Sequence, residues 1–303
     1  MAINDAVDWS ADLGGGTRVA LVQAGTFRSD AGALFGPVPR ILWDRLVTDE
    51  IDAEHRLIQA LNCLLVETPA GRVLIETGIG ERVTDKVREM RRYEGAPIVP
   101  ALEAAGFDPA SIDLVIMSHL HFDHAGGLLR ADGSKAFPRA RIVAQRGEWD
   151  IALDDNSRIV ASYDQPEIRL VRQWGDEGAV DGEVELLPGV SVIRTGGHSK
   201  GHQAIVVRGT GASRTGASAG TGGTAGTDGR TLAFFGDLGM RPWSANPRWV
   251  TSFDDFPLDS VEVKGELFAR AAEEDWLIAL SHEPVTPIGR LTPDRDRYRF
   301  DAV

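Results

Sequence analysis

The chain is poor in cysteine: its 303 residues include one, Cys63. A lone thiol cannot form an intramolecular disulfide, so a disulfide scaffold is excluded. Its place in the apolar run Leu61-Asn62-Cys63-Leu64-Leu65-Val66 predicts a buried core residue. Long apolar runs are missing too, and none approaches the roughly 18 residues a membrane-spanning helix needs. Basic residues are outnumbered, 32 Lys and Arg against 45 Asp and Glu, for a formal charge of −13. That balance argues against nucleic acid or an anionic membrane as the main partner. A small anionic substrate stays open, because metal ions can dominate the local field of a site. Met1 to Gly16 carries Asp5, Asp8 and Asp12 and no apolar segment, so we expect no secretory signal and a cytoplasmic protein. Tyrosine is scarce, at Tyr93, Tyr163 and Tyr298.

What is present reads as one domain over 1–303, since single units of roughly 200 to 250 residues are common. Residues 1–16 read as a loose leader. Arg18 to Ala24 reads as a first strand, and Gly25 to Pro39 as an apolar-rich loop that either packs as a lid or covers core. Cys63 to Thr68 and Arg72 to Glu76 flank Pro69-Ala70-Gly71, a hairpin signal. Glu81 to Tyr93 and Pro97 to Ala105 read as helices, the second ended by Gly106. Strands follow at Ile112 to Met117 and Arg141 to Gln145, with a helix starting near Gly147. The second half repeats the alternation, with strands at Val184 to Leu187, Val190 to Arg194, Ala204 to Arg208, Thr231 to Phe235 and Trp276 to Leu280, and a helix at Val261 to Ala272. The tract 209–229, almost wholly Gly, Ala, Ser and Thr, reads as a flexible surface insertion without chemistry. Periodicity alone leaves α/β and α+β open.

The densest chemistry lies in Ser118-His119-Leu120-His121-Phe122-Asp123-His124-Ala125-Gly126-Gly127. Three of the seven histidines and an aspartate fall directly after an apolar strand, and imidazole and carboxylate are ligands for zinc and similar divalent metals. His119 and His121, two positions apart, can converge on one metal from an extended segment. Asp123 and His124 follow as the chain curls and can serve a second. Three more strand ends deliver the same residue types: His198 after Val190 to Arg194, Asp237 after Thr231 to Phe235, and His282 after Trp276 to Leu280. This repetition predicts one shared site at one edge of the sheets. His202 reads as structural and His55 as an ordinary loop histidine.

His-x-His-x-Asp-His at His119 to His124 resembles the signature of the metallo-β-lactamase superfamily. The resemblance implies a four-layer αββα sandwich. It implies His119, His121 and His198 as ligands of one metal, Asp123, His124 and His282 as ligands of the other, and Asp237 as the bridging carboxylate. Two divalent ions per chain are then expected, zinc first, with iron, manganese or cobalt as alternatives. A hydroxide bridging the two metals would be the nucleophile, and Asp123 is the candidate to orient it or pass a proton to the leaving group. Asp30 to Arg45 and the ligand loops look like the lactonase and methyl-parathion-hydrolase-like branch, which implies a lactone, ester or related bond in a small, largely apolar substrate. Leu34, Phe35, Phe122, Trp149, Met240 and Trp243 are the candidate pocket residues. Two departures stand out. Glu76-Thr77-Gly78 replaces the family's Asp-x-Gly, so a hydrogen bond to a ligand must be re-aimed. Met240 stands where such lactonases often carry tyrosine, and none of the three tyrosines is obviously placed to substitute. Alternatives are a glyoxalase-II-like thioesterase, an organophosphate hydrolase and a flavodiiron-like oxidoreductase. A homodimer is left open.

Overall fold

The structure, a computed structural model, describes residues 9–155, 158, 160–174, 177–209 and 229–303. The insertion expected at 209–229 lies, apart from its two end residues, outside the described residues, as do residues 1–8 of the expected leader. Among the described residues, fourteen strands form two sheets of seven. The first sheet runs in chain order through β1 (Trp9–Gly14), β2 (Thr17–Asp30), β3 (Arg56–Thr68), β4 (Gly71–Ile75), β5 (Leu114–Ile116), β6 (Arg141–Gln145) and β7 (Glu177–Val180). The second holds β8 (Glu183–Leu187), β9 (Val190–Arg194), β10 (Gln203–Arg208), β11 (Thr231–Phe234), β12 (Leu277–Ala279), β13 (Ile288–Asp294) and β14 (Arg297–Ala302), again in chain order. Helices α1 (Ala31–Phe35), α2 (Arg40–Val47), α3 (Asp85–Arg91), α4 (Ile98–Ala104), α5 (Phe122–Ala125), α6 (Arg146–Ala152), α7 (Gln165–Gln173) and α8 (Pro257–Glu273) connect them.

Side-chain parity along the strands builds the layers. In β4, Val73 and Ile75 face the second sheet while Leu74 faces outward to the helices. In β10, Ile205 and Val207 face inward while Ala204 and Val206 pack outward with Leu267, Phe268 and Ala271 of α8. Ile98, Val99 and Leu102 of α4, Trp149 of α6 and Ile168 and Val171 of α7 cover the outer face of the first sheet. Central strands buried on both faces read as near-continuous apolar runs. The chain is thus the mixed α/β sandwich of two sheets with helices outside that its resemblance implies.

The structure corrects several local expectations. Trp9–Gly14, expected within a loose leader, is a strand paired antiparallel with β2. Gly25 does not begin a loop. The register shifts between Gln23 and Thr26, so the glycine marks a β-bulge and β2 continues to Asp30, where α1 begins. The β13–β14 hairpin was not legible because β14 is an edge strand. Its sequence Arg-Tyr-Arg-Phe-Asp-Ala sets charge against only two aromatics, Tyr298 and Phe300, that reach the core.

Lys264 of α8 is buried, and its Nζ donates to the carbonyls of Asn246 (3.3 Å) and Trp249 (2.8 Å). Burial pulls its ammonium down to about 8 from 10.5, although the Asp254 carboxylate opposes this. Between those pH values the unfolded chain binds more protons than the folded one, so stability rises through that window. The penalty is fully present below pH 8 and amounts to roughly 3 kcal/mol. Denaturant titrations should show wild type gaining about that much over Lys264→Met between pH 8 and 10.5; parallel curves would place the ammonium in water.

Candidate metal centre

The strands that carry the predicted ligands are parallel where they matter. β4, β5 and β6 run together in one sheet and β11 and β12 in the other. Their C-terminal ends therefore share an edge. His119 follows β5, Asp237 follows β11 and His282 follows β12; His198 reaches the same edge in the turn between β9 and β10. His121 stands just before the single-turn helix α5, which carries Asp123 and His124. Two close approaches hold this edge together. Gly236 has φ +50°, and a Cβ there would lie 2.6 Å from His202 Nε2 and 2.7 Å from Ser118 Cβ. A Cβ on Gly201 would lie 2.0 Å from the backbone nitrogen of Glu148. Only glycine lets these turns close.

The structure brings all seven residues together. His119 Nε2 lies 3.0 Å from His121 Nδ1, and His121 Nδ1 lies 3.2 Å from His198 Nε2. Asp237 turns its Oδ2 to this trio, 3.4 Å from His198 Nε2 and 4.0 Å from His119 Nε2. Its Oδ1 turns the other way, 3.1 Å from both His124 Nε2 and His282 Nε2. Asp123 Oδ2 completes that second group, 3.7 Å from His282 Nε2 and 3.9 Å from His124 Nε2. Donor atoms of His119, His121 and His198, and those of Asp123, His124 and His282, form two groups compact enough to hold an ion each.

Three of the rings have an acceptor beside Nδ1. His198 Nδ1 faces the Asp254 carboxylate at 2.7 Å, His282 Nδ1 the Ala60 carbonyl at 2.7 Å, and His124 Nδ1 the Glu76 carboxylate at 3.2 Å. An acceptor at Nδ1 favours the tautomer with its proton there, so that each ring in its neutral form presents an Nε2 lone pair to the cluster. Facing lone pairs near 3 Å repel unless a proton or a cation lies between them. His124 Nε2 is moreover buried without a hydrogen bond. Five imidazoles and two carboxylates with inward donor atoms suit two divalent cations of the zinc class.

Charge divides the cluster. Burial and the neighbouring rings hold His119 and His121 well below the usual imidazole value, in the neutral form that ligates. Burial pulls His124 and His198 down as well, but carboxylates outweigh it. Asp237, Glu76 and Asp123 hold His124 well up, and Asp237 with Asp254 raises His198. Burial would raise Asp237, yet His124, His282 and His198 hold its carboxyl well below the usual range.

Glu76, the departure from Asp-x-Gly, adopts φ +65°. Its Oε1 accepts the Ser118 N–H at 2.6 Å while Oε2 faces His124, so the longer side chain reaches the ligand loop at two points. Glu76→Gln keeps an acceptor for Ser118 but loses the charge beside His124. Metal affinity, measured by competition with a chromogenic chelator, should weaken about tenfold; an unchanged affinity would limit Glu76 to a role in loop shape.

His202 is not part of either donor group. Its Nδ1 pairs with Thr195 Oγ1 at 2.6 Å and its Nε2 accepts the Asp237 N–H at 3.2 Å, so it sets the backbone that carries Asp237. Ser199 Oγ donates to Glu148, and Ser118 Oγ lies 2.9 Å from Nδ1 of His119, a ring whose Nε2 faces the cluster; Ser118 is itself fully buried, so neither serine is placed as a nucleophile. Tyr163 stands nearer the site than its sequence position suggested. Its ring packs edge-on to His121 with centroids 4.7 Å apart, but its hydroxyl is committed to Glu148 Oε1 at 3.1 Å.

A cavity of about 50 Å³ opens over the cluster, with Leu34, Phe122 and Met240 in its wall. The other three candidate pocket residues lie elsewhere. Phe35 stacks on Trp43 at 4.6 Å and packs at 4.8 Å against Trp243, within a separate aromatic core beneath α1 and α2. Trp149 is buried between α6 and the first sheet. Phe35 and Trp149 are buried in core and Trp243 is half-buried against Phe35, outside the cavity wall, a distinction sequence alone cannot make.

Two carboxylates escaped sequence reading. Asp254 orients His198 from an irregular segment with no local motif. Glu148 of α6 is buried and accepts the backbone N–H groups of Leu120 (2.9 Å) and Gly201 (3.2 Å) as well as the hydroxyls of Tyr163 and Ser199. It ties the His119–His124 loop to the His198 loop. Burial raises its carboxyl above the ordinary value despite these donors.

Comparison with known proteins identifies the family. Residues 59–242 match the metallo-beta-lactamase superfamily. An N-acyl homoserine lactonase of Bacillus cereus is 29% identical over 189 residues, 57% of this chain and 68% of that protein. The N-acyl homoserine lactonase AttM of Agrobacterium fabrum is 33% identical over 164 residues, 48% of this chain and 58% of that protein. For the Bacillus thuringiensis lactonases the chain spans 57% of their length. Among solved structures, a probable metal-dependent hydrolase of Staphylococcus aureus superposes with a TM-score of 0.81 at 24% identity, over 96% of this chain and 99% of that one. AidC, a dizinc quorum-quenching lactonase, superposes with a TM-score of 0.76 at 19% identity over 97% of both chains. No helix among the described residues is long and apolar enough to cross a membrane. With its strand-end histidines and aspartates gathered at one sheet edge, the chain belongs to the metallo-beta-lactamase superfamily, and its homologues are N-acyl homoserine lactonases.

Proposed function

We propose that the chain is a dinuclear metal-dependent hydrolase that opens a lactone or a related ester of a small, largely apolar substrate. One observation carries this reading: Asp237 directs its two carboxylate oxygens to two separate groups of imidazoles. His119, His121 and His198 would hold one cation, Asp123, His124 and His282 the other, and Asp237 both. Zinc is the expected metal; iron, manganese and cobalt suit the same mixed donor set. When bound, a pair of divalent cations supplies Lewis acidity and brings a water toward its neutral-pH deprotonation.

The chain's own side chains supply the rest. Asp123 lines the cavity, orients the attacking water, takes its proton and returns it to the departing ring oxygen. Asp254, Ala60 and Glu76 keep His198, His282 and His124 in the ligating orientation. Phe27, Leu34, Phe122, Met240 and Phe253 take apolar substrate surface away from water. The names of the curated relatives favour lactones. A glyoxalase-II-like thioesterase would need several cations for its thiol carrier, and among the described residues Arg91 is the one that lines the cavity. The enzyme is expected to work in the cytoplasm on a diffusible small molecule.

The test is hydrolysis of a panel (an N-acyl homoserine lactone, an alkyl γ-lactone, an aryl ester, a phosphotriester and a thioester) with metal content measured on the same sample. Lactone opening that scales with about two cations per chain supports the reading. A profile confined to thioesters or phosphotriesters, or full activity in metal-free protein, overturns it.

A further inference from the structure

Two hydrogen-bonding groups in the wall of the cavity over the cluster stand uncommitted, and they have opposite sense. Gln59 of β3 is fully buried. Its Nε2 donates to the Ile58 carbonyl at 2.8 Å, which fixes the amide orientation, while its Oε1 is enclosed and meets no donor. A buried carbonyl oxygen without a donor is costly, and it persists where a ligand supplies the missing partner. Arg91, the last residue of α3, holds its guanidinium 4.8 Å from the ring of Phe122, within the ligand loop. Among the described residues no carboxylate pairs with it. Arg91 and Phe122 line both this cavity and a neighbouring groove of about 420 Å³, whose wall includes Val83, Val87 and Met90. Apart from the cluster and the serines Ser29 and Ser162, the remaining cavity wall is apolar.

An unpaired acceptor and an unpaired donor in the wall of one cavity complement a secondary amide, which offers one N–H and one C=O. A plain lactone, an aryl ester or a phosphotriester has no N–H to give and would leave Gln59 Oε1 unsatisfied. We propose that Gln59 and Arg91 are the specificity-determining pair of this site, Gln59 Oε1 accepting the N–H and Arg91 donating to the C=O of a secondary amide next to the scissile ester. This rests on the lactone-hydrolase reading above. The groove beyond Arg91 and Phe122 then receives the apolar chain on the far side of the amide. Sites built to hydrogen-bond a substrate group reject analogues that lack it far more strongly than apolar pockets discriminate by size.

The test compares metal-loaded wild type, Gln59→Met, Arg91→Met and Arg91→Lys on N-hexanoyl homoserine lactone and on an alkyl γ-lactone of matching length. Both methionines keep side-chain length, and Arg91 is only partly buried, so at least that variant folds. Each methionine variant should lower kcat/KM for the amide lactone about tenfold, mainly through KM, and change the plain lactone by less than about twofold. Arg91→Lys should recover most of the loss. Equal losses on both lactones, or none, overturn the proposal. Calorimetry with N-hexanoyl homoserine and the amide-free hydroxy acid separates this from the parent reading. If neither lactone is opened, hydrolysis fails as a function, while amide recognition stands if the methionine variants weaken only the amide ligand. Unchanged or equal binding of the two acids overturns it.

Discussion

Asp237→Asn is expected to lower hydrolysis of the preferred substrate by at least about a thousandfold and, on the dinuclear reading, to reduce bound metal from about two cations per chain to about one. The reason is geometric. Asp237 Oδ2 serves the group of His119, His121 and His198, and Oδ1 serves His124 and His282. Asparagine leaves one neutral oxygen, so at most one group keeps its oxygen donor. It also removes the carboxylate that, after burial, most affects His124 and His198. Elemental analysis and kcat on the same preparation check this. Two cations retained with intact kcat would show that the two groups do not share Asp237, and the dinuclear reading would fall.

Glu148→Leu is expected to cost about 3–5 kcal/mol of stability, because four donors on three segments lose their buried acceptor together. At roughly 2 °C per kcal/mol for a chain of this size, the melting temperature falls by about 6–10 °C. Activity falls too, since Leu120 and Ser199 flank the ligands of both loops. Glu148→Gln keeps one acceptor oxygen and should lose about half as much stability. Calorimetric melts of the three proteins, each with and without added zinc, decide the matter. A Leu variant that melts with wild type would mean that the ligand loops stand without this tie.

Much of the candidate centre was legible because few residue types offer lone pairs suited to a divalent metal. His119, His121, Asp123 and His124 sit in six consecutive positions after an apolar strand, and His198, Asp237 and His282 each stand a few residues beyond a strand end. Parallel β4–β5–β6 and β11–β12 pairing turns those chain positions into one spatial edge. The four layers came from the family resemblance: a run such as Ala204 to Val207 is apolar at every position, so periodicity left α/β and α+β open and only the structure shows which residue meets which layer. Aromatic residues were harder. Leu34 and Phe35 are neighbours in sequence, yet Leu34 lines the cavity and Phe35 stacks on Trp43.

By itself the sequence determined the chemistry: which residues offer lone pairs, that they follow strands, and that no disulfide or membrane-spanning apolar run competes with a packed core. Only the tertiary structure decided the wiring around them. That Glu148 joins two loops, that Asp254 and Ala60 orient His198 and His282, and that Gln59 and Arg91 meet one cavity all depend on contacts between distant segments. The physical reason is range. A ligand type and a strand period are local properties of the chain, whereas the partner of a buried carboxylate or amide is chosen by which backbone comes to rest beside it.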